Sequence, residues 1–291
     1  MSEQTNIGWC DSTVNPTSGC DGCEILRTCY ARLIHEQRLA MSPSTRANYA
    51  ADFLEVRMIP GRMAKAARWK SLAGTLRPDK PWLDGSPRHI FISDMSDALS
   101  EAVPFKFLQD EIIANVESAA GLRHVWLWLT KRPDRMAEFA KWNGSWPSNL
   151  WAGTSVTGGM ASQGRIEDLL EVPAGVRFVS YEPALAPMDF SHHLGEWCKN
   201  ACCAWKVPKS IHSPICVHSL PMVRQPGISW LIIGGESGPA HREMDLGWMR
   251  NAAIQCKAAG VPVFIKQDSA AQSGQRGRIP ADLWGLKELP S

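Results

Sequence analysis

His124-Val125-Trp126-Leu127-Trp128-Leu129-Thr130, continued by Lys131-Arg132-Pro133, is the stretch that decides how this chain is read. A half-buried strand alternates apolar and polar residues; this one is apolar from Val125 to Leu129. Such a strand belongs to a parallel sheet covered on both faces. Pro133 suits the first turn of a helix, predicted to run to Trp142. The strand-then-helix unit recurs on either side. His89-Ile90-Phe91-Ile92-Ser93 precedes a helix opened by Pro104 and reaching about Ala119. Leu150–Val156 precedes a helix near Arg165–Leu170, and Val176–Glu182 is a further strand. Trp230–Gly234 precedes a helix at Leu246–Ala259 that stops at Gly260, and Val261–Lys266 is the last strand. Upstream stand a short strand at Ser12–Asn15 and helical periodicity over Ala31–Leu39 and Arg46–Trp69.

About seven strands separated by helices predict an α/β fold, a (β/α) TIM-type barrel, complete or partial. A doubly wound open sheet is the alternative. The rhythm breaks at residues 190–226, expected to be a Cys/His-rich insertion within a single domain spanning residues 1–291. Polar residues gather where strands end: Asn15, Ser93-Asp94, Thr130-Lys131, Ser155, Glu182, Gly234-Gly235-Glu236 and Lys266-Gln267. In a parallel sheet these ends share one face, where ligands bind. Caps and turns explain Ser155 equally well. Charges such as Lys131, Glu182, Glu236 and Lys266 need either one another or a ligand.

The chain has 291 residues, 44% hydrophobic and 21% charged, with net charge +2. That composition excludes a disordered or fibrous chain. It has no apolar run long enough for a bilayer and no signal-peptide layout at Met1–Asn6, which points to the cytoplasm. Nine cysteines are many for such a compartment and suggest metal rather than disulfides. Cys20, Cys23 and Cys29 fall within ten residues, in Asn15-Pro16-Thr17-Ser18-Gly19-Cys20-Asp21-Gly22-Cys23 and Cys29-Tyr30-Ala31-Arg32. Three thiolates without a near fourth suit an iron–sulfur cluster with one open iron, or a zinc site completed by His35 or Cys10. Cys198, Cys202, Cys203, Cys216 and His218 form a second candidate metal group in the insertion, for zinc or an auxiliary iron–sulfur cluster.

The Asn-Pro-x-x-Gly-Cys…Cys…Cys-Tyr-Ala-Arg pattern resembles the cluster loop of radical S-adenosylmethionine (SAM) enzymes, especially those near spore photoproduct lyase. Over nearly its full length the chain is similar to a phage- and prophage-associated family of unknown function. That family's genomic neighbours are called three-Cys-motif partner proteins. The matching stretches include Ser93-Asp94-Met95-Ser96-Asp97, Leu129-Thr130-Lys131-Arg132-Pro133, Ser180-Tyr181-Glu182-Pro183 and Ile233-Gly234-Gly235-Glu236-Ser237. The cysteine spacing here is two, then five residues, where radical SAM enzymes usually have three, then two. Gly234-Gly235-Glu236 also follows a late strand rather than the second.

The resemblance implies a [4Fe-4S] cluster on Cys20, Cys23 and Cys29, with SAM bound to it. Its reductive cleavage would start radical chemistry on a substrate such as a nucleotide or nucleic-acid base. Asp94, Lys131, Glu182 and Lys266 are then the candidate catalytic residues. Tyr30, Ser93, Thr130, Ser155, Gly234, Gly235 and Glu236 are candidates for cofactor binding. An external electron donor and a partner protein from a neighbouring gene are the implied partners. For a phage-encoded chain the location is the host cytoplasm. Two other readings stand beside this one. One is a zinc barrel enzyme modifying nucleobases without radicals through Asp94 or Asp97. The other is a non-catalytic, metal-stabilised nucleic-acid-binding protein, with Arg132, Arg135 and Lys141 on phosphates.

Overall fold

A computed structural model describes residues 1–198 and 224–290 of the chain. Its main sheet has seven strands. They are β1 (Ser12–Val14), β2 (Arg88–Ile92), β3 (His124–Thr130), β4 (Leu150–Val156), β5 (Arg177–Tyr181), β6 (Trp230–Gly234) and β7 (Val263–Gln267). Every ladder is parallel and each strand lies beside the next in chain order.

The strands are apolar throughout because their two faces bury different things. One set of side chains, including Ile90, Trp126, Trp128, Ala152, Val179 and Ile233, packs with the helices. Met136 and Phe139 of helix Pro133–Asn143 and Met249 and Cys256 of helix Leu246–Ala259 belong to that layer. The alternate set (Phe91, Leu127, Trp151, Phe178, Trp230, Ile232 and Phe264) lines the concave face. Trp9 fills this hollow, with its ring centroid 4.6 Å from Phe91 and 6.2 Å from both Phe178 and Trp230. Gly153 pairs with Phe178 across β4 and β5. A Cβ there would sit 2.3 Å from the Phe178 ring, so the aromatic packing requires the glycine.

A complete TIM-type barrel does not form. The sheet is an open, curled half-barrel, and among the described residues no ladder joins its edge strands β1 and β7. Both free edges are taken by other parts of the chain. Ser2 exchanges backbone hydrogen bonds with Thr13 of β1 at 2.8 and 2.9 Å. On β7, Ile265 N–H donates to the Leu286 carbonyl at 2.8 Å, and Glu288 N–H donates to that of Val263 at 2.9 Å. An edge whose backbone groups are already paired offers nothing to a closing strand. A doubly wound sheet is excluded too, because the strand order never reverses and the helices cover one face.

Other departures are local. The predicted helix over Arg46–Trp69 shrinks to Arg62–Ala67. Pro60 and Gly61, the latter at φ 83°, start it late, and Arg57–Met58 pairs instead with Thr17–Ser18. The polar tail contains a helix, Ala281–Trp284, and Asp268 anchors it by two hydrogen bonds to the Arg278 guanidinium at 2.8 and 2.9 Å. Glu196–Cys198 pairs antiparallel with Arg224–Pro226, and the Cys/His-rich stretch between them lies outside the described residues. Among the described residues no helix is long and apolar enough to cross a membrane.

Candidate functional site

The carboxyl ends of the strands open onto a cavity of about 680 Å³. Cys20, Cys23, Cys29 and Tyr30 line it from one side. From the strand ends come Ser93, Asp94, Thr130, Lys131, Ser155, Glu182, Gly235, Glu236 and Lys266. Thus thirteen residues singled out in the sequence share one space. Gly234 does not line it. Cys202, Cys203, Cys216 and His218 lie outside the described residues, and Cys198 ends the short strand above.

The cysteine loop is fastened at several points. Gly19 takes φ 77°, and a Cβ on it would lie 2.5 Å from the Glu55 carbonyl oxygen, so only glycine fits the turn. Cys20 N–H donates to the Phe53 carbonyl at 2.9 Å. The Arg132 guanidinium donates to the Gly22 carbonyl at 3.1 Å and pairs with Asp21 at 2.7 Å. It also reaches Asp97 at 3.0 Å. Further along the loop, Arg165 grips Glu24 with both guanidinium nitrogens, at 2.6 and 2.8 Å. That bond holds the Glu24 carboxyl at a pKa of about 2.

The charges around the cavity largely neutralise one another. Lys266 is ion-paired with Glu182. Arg242 holds Glu236 through Nε and Nη2 at 2.9 and 2.8 Å, and its backbone N–H adds a bond of 2.8 Å. Those bonds depress the Glu236 carboxyl to about 2. Glu236 is therefore already satisfied by its own chain rather than awaiting an ammonium. The two glycines before it serve packing, since a Cβ on Gly235 would meet the Ser269 nitrogen at 2.3 Å. Asp97 accepts from Thr130 Oγ1 at 2.9 Å and from the Lys131 N–H at 3.1 Å, besides Arg132. Asp97 is thus occupied by donors of its own chain. Asp94 accepts from Asn15 Nδ2 at 2.6 Å, while burial pushes its carboxyl up. Tyr30 Oη donates to the Asp94 backbone carbonyl, which fixes the ring at the cavity wall.

Cys20, Cys23 and Cys29 are all free thiols. Burial raises the thiols of Cys20, to about 11, and Cys23. The Lys131 ammonium acts on Cys23 in the opposite sense, favouring the thiolate. Among the described residues no three His, Cys, Asp or Glu side chains are gathered closely enough to hold a metal ion. Neither proposed completing ligand for zinc lines the cavity. His35 is buried with Nε2 on the Ala50 carbonyl at 2.7 Å, and its ring meets those of Tyr49 and Phe53 edge-on. Cys10 is fully buried.

Sequence reasoning missed Arg165 and Trp9, and gave Arg132 a phosphate-contacting role. Arg132 and Arg135 looked like a solvated, phosphate-facing surface. Instead Arg132 is half-buried in its two ion pairs. Arg135 donates to the Val103 carbonyl at 2.8 Å and lies over the Phe105 ring at 4.7 Å. The available signal was position: Arg132 directly follows a strand end, where an arginine meets acids from neighbouring loops.

No curated protein and no solved structure matches the chain. A family match covers residues 4–280, nearly the whole length, and the chain accordingly belongs to the family described as "Protein of unknown function (DUF5131)".

Proposed function

We propose that this protein is a radical SAM-type iron–sulfur enzyme whose cluster sits on Cys20, Cys23 and Cys29. The observation that carries the reading is that three free thiols share one cavity with the polar ends of β2 to β7. The donor set fits the group in kind: soft thiolates, three in number, with no fourth cysteine and no histidine among the cavity's lining residues. Among the described residues the three sulfurs do not stand together as a metal site, so a cluster would need the loop to draw in between its anchors at Asp21 and Glu24. Cys20, Cys23 and Cys29 would hold a [4Fe-4S] cluster, which with SAM and one electron from an external donor would supply radical chemistry for hydrogen abstraction.

The chain's own residues hold that chemistry in place. Arg132 and Arg165 orient the loop. Lys131 favours thiolate at Cys23. The Glu182–Lys266 pair and Asp94 present hydrogen-bonding groups to the ligand, and the Tyr30 ring forms a flat wall. The substrate, a nucleotide or nucleic-acid base, the phage association and the neighbouring-gene partner all rest on family resemblance. Zinc chemistry through Asp94 or Asp97 is the weaker reading, because neither His35 nor Cys10 lines the cavity to complete the site and Asp97 is held by Thr130, Lys131 and Arg132.

Anaerobic reconstitution tests the ligand set. Wild type binds about four irons per chain, the content of one cubane cluster. Cys20→Ala, Cys23→Ala and Cys29→Ala each lose most of it. Wild-type iron in Cys23→Ala contradicts the proposal.

A further inference from the structure

We propose that Lys131 is the anion-binding residue of this cavity, receiving an oxyanion, phosphate or carboxylate, of the bound ligand. The inference rests on the proposed function only in using the same cavity. Its ground is the fate of the acids around it: Asp94, which lines the same cavity, accepts from Asn15 Nδ2 at 2.6 Å, and the others are paired with cations. Asp97 and Asp21 are held by Arg132 at 3.0 and 2.7 Å, and Glu24 by Arg165 at 2.6 Å. Glu182 is paired with Lys266, and Glu236 with Arg242. Lys131 lines the same cavity, half-buried, and among the described residues its ammonium has no ion pair and no hydrogen bond.

A partly desolvated ammonium gains most from a charged oxygen acceptor. Any one of Asp21, Glu24 or Asp97, left free, would quench it. Two arginines occupy all three, which keeps the Lys131 charge available to a ligand. The residue also follows directly from β3, at the carboxyl edge where open parallel sheets bind ligands.

The test uses matched probes on the full chain: AMP against adenosine with metal-free protein, and SAM against decarboxylated SAM with reconstituted protein. In wild type the anionic member of at least one pair binds about tenfold or more tighter than its partner. That preference disappears in Lys131→Met, returns largely in Lys131→Arg, and shrinks with added salt. A response in the AMP pair identifies a substrate phosphate; a response in the SAM pair identifies the cofactor carboxylate. Lys131→Gln replaces the methionine variant if that one fails to fold. The inference is overturned if no anionic probe binds, if both pairs bind alike, or if Lys131→Met weakens both members equally. It is also overturned if the variant loses iron while wild-type pairs bind alike, which makes Lys131 a partner of the cluster alone. Absence of iron from reconstituted wild type is a separate failure, of the radical reading, and leaves the AMP pair readable.

Discussion

Arg132 and Asp97 meet at 3.0 Å beside the cysteine loop, and the same guanidinium holds Asp21 at 2.7 Å. One side chain from the end of β3 thereby ties the loop to the segment after β2. Arg132→Ala leaves Asp97 buried without its counter-charge. The expected loss is about 2–3 kcal/mol in denaturant unfolding, below a wholly stranded charge because Thr130 and the Lys131 N–H still donate. Proteolysis within residues 20–29 quickens in the same variant. Arg132→Lys recovers part of the stability but not the three-way tie.

Ser93 is the non-glycine residue with positive φ, 74°, among those described, and its buried Oγ has no hydrogen-bond partner. Ser93→Gly removes backbone strain and deletes no bond. The expected result is a gain of roughly 0.5–1 kcal/mol in thermal or denaturant unfolding. A destabilised glycine variant contradicts the strain assignment.

Gly153 gives a sharper packing test. Gly153→Ala drives a methyl into the Phe178 ring, 2.3 Å away, with Trp9 and Trp230 behind it. Overpacking of this kind costs about 1–3 kcal/mol. Pairing it with Phe178→Leu, which frees the space, reduces the penalty below the sum of the single changes.

The pH dependence of stability carries a predicted sign. Glu236 titrates near 2 in the folded protein, held down by Arg242, against an ordinary value of 4.5. A depressed carboxyl contributes its full stability above 4.5 and loses it as pH falls toward 2. Glu236→Gln therefore lowers stability at neutral pH and flattens the acid limb of the curve through that window. An unchanged acid limb contradicts the pairing.

Much of this was legible in the chain itself. His124–Thr130, Leu150–Val156 and Trp230–Gly234 are strands at the predicted bounds, because an uninterrupted apolar run has few other uses. The convergence of strand-end residues followed from parallel pairing. Closure was not legible. It depended on Ser2 and residues 286–288 pairing with the edge strands, contacts between distant segments with no local signature. The partners of Glu236 and Asp97 were hidden for the same reason. Arg242 stays on the surface and Arg132 is half-buried, and nothing local in the sequence says which acid either one meets.

The central claim, radical chemistry on a three-cysteine cluster, is tested most directly by one product. Anaerobically reconstituted wild type, given SAM and a strong one-electron reductant, is predicted to release 5′-deoxyadenosine, with the yield abolished in Cys23→Ala. Iron-loaded protein that binds SAM and forms none of it contradicts the account.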